Sequence, residues 1–275
     1  MPFSKQTEVA VRAAREAGQD ALARRKGAIT VREKTRHLDY VTDVDTGCES
    51  MIREILLSET PGSRFFGEEC GVPEAEIKQA IDHMAPGERI WVVDPLDGTI
   101  NYVHGLGLYC VSIGLMEDGE PVSGAIYIPA LDEMFAAEKG QGAWLNGRRI
   151  HVSDTGLLEE ALVGYSVPVV NPEQRRAFER CYPLLSGSVQ NARILGSCAA
   201  AMAYTACGAL DGYMELGHHP WDVAAGMLLV REAGGEATNF AGEPFSASDH
   251  RLVLSNGRIH SGLLGIVDGI RDIAP

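Results

Sequence analysis

Asp94 and Asp97 close an apolar run, Ile90 to Val93, in the segment Trp91-Val-Val-Asp-Pro-Leu-Asp-Gly-Thr-Ile-Asn-Tyr102. The run reads as a buried strand, and both carboxylates leave from its carboxyl end, where α/β proteins commonly place ligands. Pro95 restricts its own φ and biases Asp94 toward extended backbone, while Gly98 permits a tight turn. Two anions so close repel one another. At about 4 Å and an effective dielectric of about 20 the repulsion is roughly 4 kcal/mol. A cation between them removes it. Asp and Glu oxygens with no Cys or His nearby suit a hard ion, Mg²⁺ or Mn²⁺, better than zinc.

Three further acidic clusters fall at expected element ends: Asp43 with Asp45, Glu68 with Glu69, and Asp222. Taken singly, each has a plainer explanation. Asp45 or Asp222 could simply cap a helix, and Glu68-Glu69 could be a solvated turn. Asp94 and Asp97 differ because a buried strand runs straight into both.

Secondary structure must bring these groups together. Ser4 to Arg25 is Ala-rich, with Val9, Ala13, Ala17 and Ala21 spaced by four, and reads as a helix. A second helix is expected after Asp45. Thr46 and Glu49 have capping-box spacing, and Met51, Ile52, Ile55 and Leu56 supply an apolar stripe. Phe65 and Phe66 then lead into Gly67-Glu68-Glu69. Val111 to Met116, Val122 to Ile128, Glu133 to Ala137 and Gly142 to Leu145 read as an antiparallel meander. Its turns are marked by Asp118-Gly119, Pro129, Gly140 and Asn146-Gly147. The second half alternates. Strands are expected at Ala161 to Tyr165, Gly212 to Leu216 and Leu252 to Ser255. Helices are expected from about Pro172 to Leu185, across Ser197 to Cys207, from Trp221 to Ala233 before Gly234-Gly235, and from Arg258 onward. This order implies a layered α/β (α+β) architecture. A boundary near Val152 to Gly156 separates an N-terminal subdomain, 1–152, from a C-terminal one, 153–275.

The chain has 275 residues, 45% of them hydrophobic, enough for one large core or two packed subdomains. No stretch approaches the roughly 18 uninterrupted apolar residues of a membrane helix. The N-terminal residues lack the apolar segment of a signal peptide, which points to a cytoplasmic protein. The cysteines, at 48, 70, 110, 181, 198 and 207, form no C-x-x-C pair and read as reduced structural thiols. The formal net charge of −14 argues against nucleic-acid binding as the main activity. It also repels a phosphate at long range, so any phosphate site needs local cations.

Together the acidic clusters resemble those of the inositol monophosphatase family of metal-dependent, lithium-sensitive phosphatases. The resemblance covers nearly the whole chain. One signature is Trp91-Val-Val-Asp94-Pro-Leu-Asp97-Gly-Thr99-Ile-Asn101-Tyr102. The other is Trp221-Asp222-Val-Ala-Ala-Gly-Met-Leu-Leu-Val-Arg-Glu-Ala-Gly-Gly235. Gly67-Glu68-Glu69 and the segment Asp39 to Asp45 follow in family order and spacing. The resemblance implies an αβαβα sandwich of the sugar-phosphatase type and two to three Mg²⁺ ions, with Mn²⁺ a possible substitute. It places Glu68, Asp94 and the carbonyl of Leu96 as ligands of one ion, and Asp94, Asp97 and Asp222 as ligands of another. A third ion would share Glu68. Asp45 and Thr99, with Glu69 close by, correspond to the group that activates the attacking water. The amides of Gly98 and Thr99 would hold phosphate oxygens. Lys34 matches a family lysine near the metal site.

On the substrate side the resemblance assigns Gly196, Ser197, Cys198 and Glu215. A carboxylate suits a polyol because it accepts bonds from adjacent hydroxyls. Without the family, Glu215 reads equally well as an exposed strand-end residue. Cys198 stands where Ala or Thr is common, and Ile100 replaces a frequent Thr. His218-His219 precedes Trp221; a structural role is preferred for the pair over lining the pocket. The expected substrate is a small phosphorylated polyol or sugar, inositol 1-phosphate first. Alternatives are 3′-phosphoadenosine 5′-phosphate, histidinol phosphate, fructose 1,6-bisphosphate, NADP, or an added regulatory role on the transcription machinery. A homodimer is expected from the family.

Overall fold

The computed structural model describes residues 3–25, 27, 30–35, 39–166, 172–244, 246 and 249–270. In chain order its elements are α1 (Lys5–Arg24), β1 (Val31–Thr35), β2 (Asp39–Thr42), α2 (Asp43–Glu59), β3 (Arg64–Gly67), α3 (Glu74–Asp82), β4 (Arg89–Asp97) and α4 (Thr99–Val103). The strands β5 (Cys110–Glu117), β6 (Glu120–Ile128), β7 (Glu133–Glu138), β8 (Gly142–Leu145), β9 (Arg148–Ile150) and β10 (Leu162–Ser166) come next. The chain continues with α5 (Pro172–Ser188), β11 (Asn191–Arg193), α6 (Cys198–Ala206), β12 (Gly212–Leu216), α7 (Pro220–Glu232), β13 (Glu236–Thr238), β14 (Arg251–Ser255) and α8 (His260–Val267).

Among the described residues, β3 to β9 form one sheet in sequence order, with β3 and β4 parallel and the remaining pairs antiparallel. A second sheet has the order β11-β10-β12-β14-β13, and β1 pairs with β2 as a separate ribbon. The larger sheet comes from residues before the 152–156 segment and the five-stranded one from residues after it.

Strand side chains alternate between faces, so each sheet buries both. Trp91, Val93, Val111, Ile113 and Tyr127 face α1 and α2, meeting Val9, Ala13, Ala17, Ile52 and Leu56. Ile126 and Phe135 point the other way, onto α6 and α7. The same two helices contribute Met202, Ala225 and Leu229 to a core that also holds Tyr213, Leu252 and Leu254 of the second sheet. Val163, Met214 and Val253 face α5 and α8 beyond it. The layer order is therefore α, β, α, β, α, as expected, with α6 and α7 shared between the two sheets.

Two details place the site. Gly114 and Gly124 are cross-strand partners on β5 and β6. A Cβ on Gly114 would come within 2.7 Å of Ala224 Cβ, and one on Gly124 within 3.1 Å of Ala225 Cα. The missing side chains let α7 lie almost directly on the sheet. Ser112, the register partner of Asp94, has its hydroxyl 3.4 Å from the carbonyl of Trp221. The first turn of α7, with Asp222, is thereby seated beside the end of β4.

Several boundaries differ from the sequence reading. The second helix begins at Asp43, and its cap is Thr42 rather than Thr46. Thr42 has extended backbone, and its hydroxyl accepts the amides of Val44 and Asp45. Asp45 completes the capping box by accepting the Thr42 amide at 2.9 Å. Glu49 therefore is not a capping residue. The strand expected at 90–93 continues through Asp97 across a bulge between Asp94 and Asp97, since Pro95 has no amide proton to give. The β1–β2 ribbon, α3, α4 and the short strands β9, β11 and β13 had no periodic signal long enough to read.

Gly114→Val should destabilise the protein by about 1–3 kcal/mol through overpacking against α7. Urea unfolding measures this. A wild-type midpoint and slope would show that α7 does not depend on that contact.

Candidate metal and phosphate site

The acidic residues named from sequence arrive from α2, the turn after β3, the end of β4 and the start of α7, and Asp45, Asp94, Asp97 and Asp222 are each aimed by their own donors. Asp45, on the first turn of α2, is 1% exposed. Its Oδ2 accepts both the amide and the hydroxyl of Thr42, and its Oδ1 lies 3.1 Å from the Thr99 hydroxyl. That hydroxyl is also 3.0 Å from the carbonyl of Leu96, so one proton is shared between two acceptors. Burial raises the Asp45 carboxyl above its usual range, against the lowering effect of the Thr42 and Thr99 bonds.

Asp94 is buried at the end of β4, and its Oδ1 accepts the Leu96 amide at 2.9 Å. Burial raises its pKa well above the ordinary carboxylate value, and the charges of Glu68, Asp97 and Asp222 raise it further. Three carboxylates from three stretches of chain thus act on one buried acid. Glu68 is held to β4 by its own amide, which donates to Val93 O at 3.1 Å. The Glu69 amide donates to Glu49 Oε2 at 2.7 Å.

Asp97 is tied to the start of α6. Its Oδ2 accepts the Ser197 hydroxyl at 2.5 Å and the Ala199 amide at 2.7 Å; its Oδ1 accepts the Cys198 amide at 3.3 Å. Burial raises its pKa, and these donors pull it back. A carboxylate offers about four lone-pair positions, so Oδ1 keeps capacity for a further partner. Asp222 stands in the first turn of α7 and accepts the His219 amide at 2.7 Å. Burial lifts its pKa to about 7 despite the nearby His219 charge.

The turn between β4 and α4 is set by Gly98, at φ 92°. A Cβ there would sit 3.0 Å from Leu108 O and 3.2 Å from Gly196 O. Asn101 braces the same junction. Its Nδ2 donates to Leu108 O at 2.6 Å and to Leu195 O at 2.8 Å. This joins the β4–α4 turn to the Gly196-Ser197-Cys198 stretch. Glu215 on β12 is 4% exposed, which removes the exposed strand-end reading. The Cys198 thiol points at its Oε2, and burial drives its pKa up to about 8.

Lys34 lies on β1, and its side chain is outside the described residues. His218 is buried, and burial keeps its ring neutral, with the pKa pushed down to about 3. His219 Nδ1 pairs with Glu74 at 2.8 Å, and its ring stacks on Trp221 at 4.8 Å. His219 thus has structural partners, and His218 is a neutral residue of the interior. Sequence reasoning missed Glu74, Asn101 and the reach of Glu49. Asn101 lay inside the quoted signature, but nothing in its spacing showed which carbonyls it would meet.

The donor set suits a hard divalent ion: carboxylates of Glu68, Asp94, Asp97 and Asp222 and the carbonyl of Leu96, with burial raising the pKa of Asp94, Asp97 and Asp222 and the crowded charge raising that of Asp94. Among the described residues, no three His, Cys, Asp or Glu groups already converge closely enough to hold an ion. Asp94, Asp97 and Asp222 instead each follow their own hydrogen-bond donors. The fit therefore rests on oxygen chemistry and mutual charge.

Asp94→Asn should abolish divalent-cation binding while the metal-free protein folds normally. A carboxyl whose folded pKa lies above its unfolded value takes up a proton on folding, so its presence weakens the native state once pH exceeds the unfolded value. The substitution should raise the metal-free melting temperature at neutral pH. A lowered melting temperature would show that the Asp94 charge is not under strain.

The inositol monophosphatase family model matches residues 4–271. A fructose-1,6-bisphosphatase/inositol-1-monophosphatase of Thermotoga maritima is 36% identical over 242 residues, 87% of each chain. A Nus factor SuhB of Xylella fastidiosa is 39% identical over 237 residues, 85% of this chain and 82% of that one. The crystal structure of the extragenic suppressor protein suhB from Bartonella henselae superposes with a TM-score of 0.87 at 32% identity, covering 98% of this chain and 99% of that one. With matching sequence and fold along almost its whole length, the chain belongs to the inositol monophosphatase family.

Proposed function

We propose that the protein hydrolyses a small polyol or sugar monophosphate, inositol 1-phosphate foremost, at the carboxylate site between β4, α2 and α7. The observation that carries this reading is buried Asp94 under the combined charge of Glu68, Asp97 and Asp222. Glu68, Asp94, Asp97, Asp222 and the Leu96 carbonyl would hold Mg²⁺, two to three ions with Mn²⁺ able to substitute. Bound there, the metal supplies acidification of water and neutralisation of charge on the leaving oxygen.

The remaining work falls to the chain. The Thr99 hydroxyl donates to Asp45 at 3.1 Å, and this pair would accept from and orient the attacking water, with Glu69 assigned to the same group. Asp45 by itself is a weak base, so its part is orientation and transient proton acceptance. The amides of Gly98 and Thr99 would hold phosphate oxygens; Gly98 makes a left-handed turn there, a setting in which backbone N–H groups suit an anion. Phosphoryl transfer asks the protein mainly for positioning and electrostatics, which this rigid arrangement provides. Glu215, with Gly196, Ser197 and Cys198, is assigned to the substrate hydroxyls.

We place the protein in the cytoplasm as a homodimer. Ile100, Leu106 and Ile194 are exposed apolar side chains on segments joined by Asn101, a composition suited to contact with a second subunit. Among the described residues no helix is long and apolar enough to cross a membrane.

Turnover on inositol 1-phosphate, fructose 1,6-bisphosphate, histidinol phosphate, NADP and 3′-phosphoadenosine 5′-phosphate tests the substrate. The expected result is Mg²⁺-dependent, lithium-inhibited hydrolysis with preference for the inositol ester. Preference for an adenosine or histidinol ester would defeat that assignment, and activity indifferent to Mg²⁺ would defeat the metal role.

Glu215→Gln should alter discrimination among polyol phosphates more than it alters cation affinity. Equal loss on every ester would contradict a role in reading hydroxyls.

A further inference from the structure

Glu49 is a buried carboxylate that the chemistry above leaves unused. It lies one helical turn beyond Asp45 on α2, so the two acids project from the same face of that helix. Asp45 turns toward Thr99. Glu49 reaches instead to the Gly67-Glu68-Glu69 turn, where its Oε2 accepts the Glu69 amide at 2.7 Å. Gly67 is the residue it passes over. A Cβ on Gly67 would overlap that same oxygen and lie 2.5 Å from the carboxyl carbon of Glu49. The glycine therefore serves a close approach, and the acid fills the space its side chain would take.

The turn is held from two sides. Glu49 grips the Glu69 amide from α2, while Val93 O accepts the Glu68 amide at 3.1 Å from β4. Val93 is the residue before Asp94. Glu68 thus sits between two fixed amides, and the direction of its side chain follows from where those amides are held. A carboxylate acceptor makes a bond roughly twice as strong as a neutral one. Burying a charge beside other acids would be a poor way merely to fill space, because an apolar residue would do so without desolvation.

We propose that Glu49 is a positioning residue for the divalent-cation site, setting the Gly67–Glu69 main chain so that Glu68 faces Asp94. The proposal rests on the reading of Glu68 as a metal ligand.

Mn²⁺ titration of the full chain, followed by the paramagnetic resonance of the free ion and made without substrate, tests it. Glu68→Gln serves as the control. If that variant binds Mn²⁺ like the wild type, the ligand reading fails and the proposal with it. If it binds more weakly, the Glu49 variants decide. Glu49→Ala should weaken binding by about 10-fold to 100-fold, the usual effect of losing a group that orients a ligand. Gly67→Ala should do the same by pushing the carboxylate out of the turn, and it leaves Glu49 in place should Glu49→Ala fold poorly. Glu49→Gln, which keeps an acceptor oxygen, should bind more tightly than Glu49→Ala. The double variant Glu49→Ala/Gly67→Ala should be no weaker than Glu49→Ala alone, since both remove one contact. Wild-type binding by Gly67→Ala, or equal losses in Glu49→Ala and Glu49→Gln, would overturn the positioning role.

Discussion

Like charge buried in one place is the constraint on which this structure turns. Asp94 and Asp97 are held out of water and Asp222 is half-buried, close enough to feel one another; Glu68 adds to the same field and also acts on Asp45. In solution such groups would separate or take up protons. Here the main chain forbids separation. Thr42 grips Asp45, the Leu96 amide grips Asp94, the start of α6 grips Asp97, and the His219 amide grips Asp222. Hydrogen bonds to charged acceptors are strong enough to hold a carboxylate against its neighbours. The result is a concentration of negative charge whose natural complement is a small divalent cation.

The scaffold achieves this by bringing four kinds of chain end toward one another. The end of β4 delivers Asp94 and Asp97. The first turn of α2 brings Asp45, and the turn after β3 brings Glu68 and Glu69. The first turn of α7 adds Asp222. Two glycines on β5 and β6 let α7 sit on the sheet, and Asn101 ties the β4–α4 turn to the start of α6. The sandwiched pair α6 and α7 belongs to both sheets, so Cys198 and the turn that carries Asp222 are anchored in one packed core.

The chain as a whole is acidic, and this has an electrostatic consequence. With a net charge of −14 the protein repels a phosphate ester at long range, and local cations would be needed to reverse that field. Glu215 repeats the theme on a smaller scale: a buried acid, faced by a thiol, that is better matched to neutral hydroxyls than to another anion.

The sequence by itself determined the elements with a long periodic signal and the acids that end them. The Ala spacing of α1, the meander of β5 to β8, the buried run of β4, and the identities of Asp45, Glu68, Asp94, Asp97 and Asp222 were all legible, because hydrophobic periodicity and like-charge crowding are local properties. Family resemblance added the layer order, and it proposed the roles of the acids. Tertiary structure alone decided what each acid meets. Thr42 rather than Thr46 caps α2 because its extended backbone directs the hydroxyl at the first free amides. Glu49, which looked like half of a local capping box, crosses instead to a turn twenty residues away. Asp97 proved to be bound to the start of α6, and Glu215 proved to be buried. Hydrogen bonds between segments a hundred residues apart leave no trace in spacing, because they depend on where the packed layers carry each backbone amide.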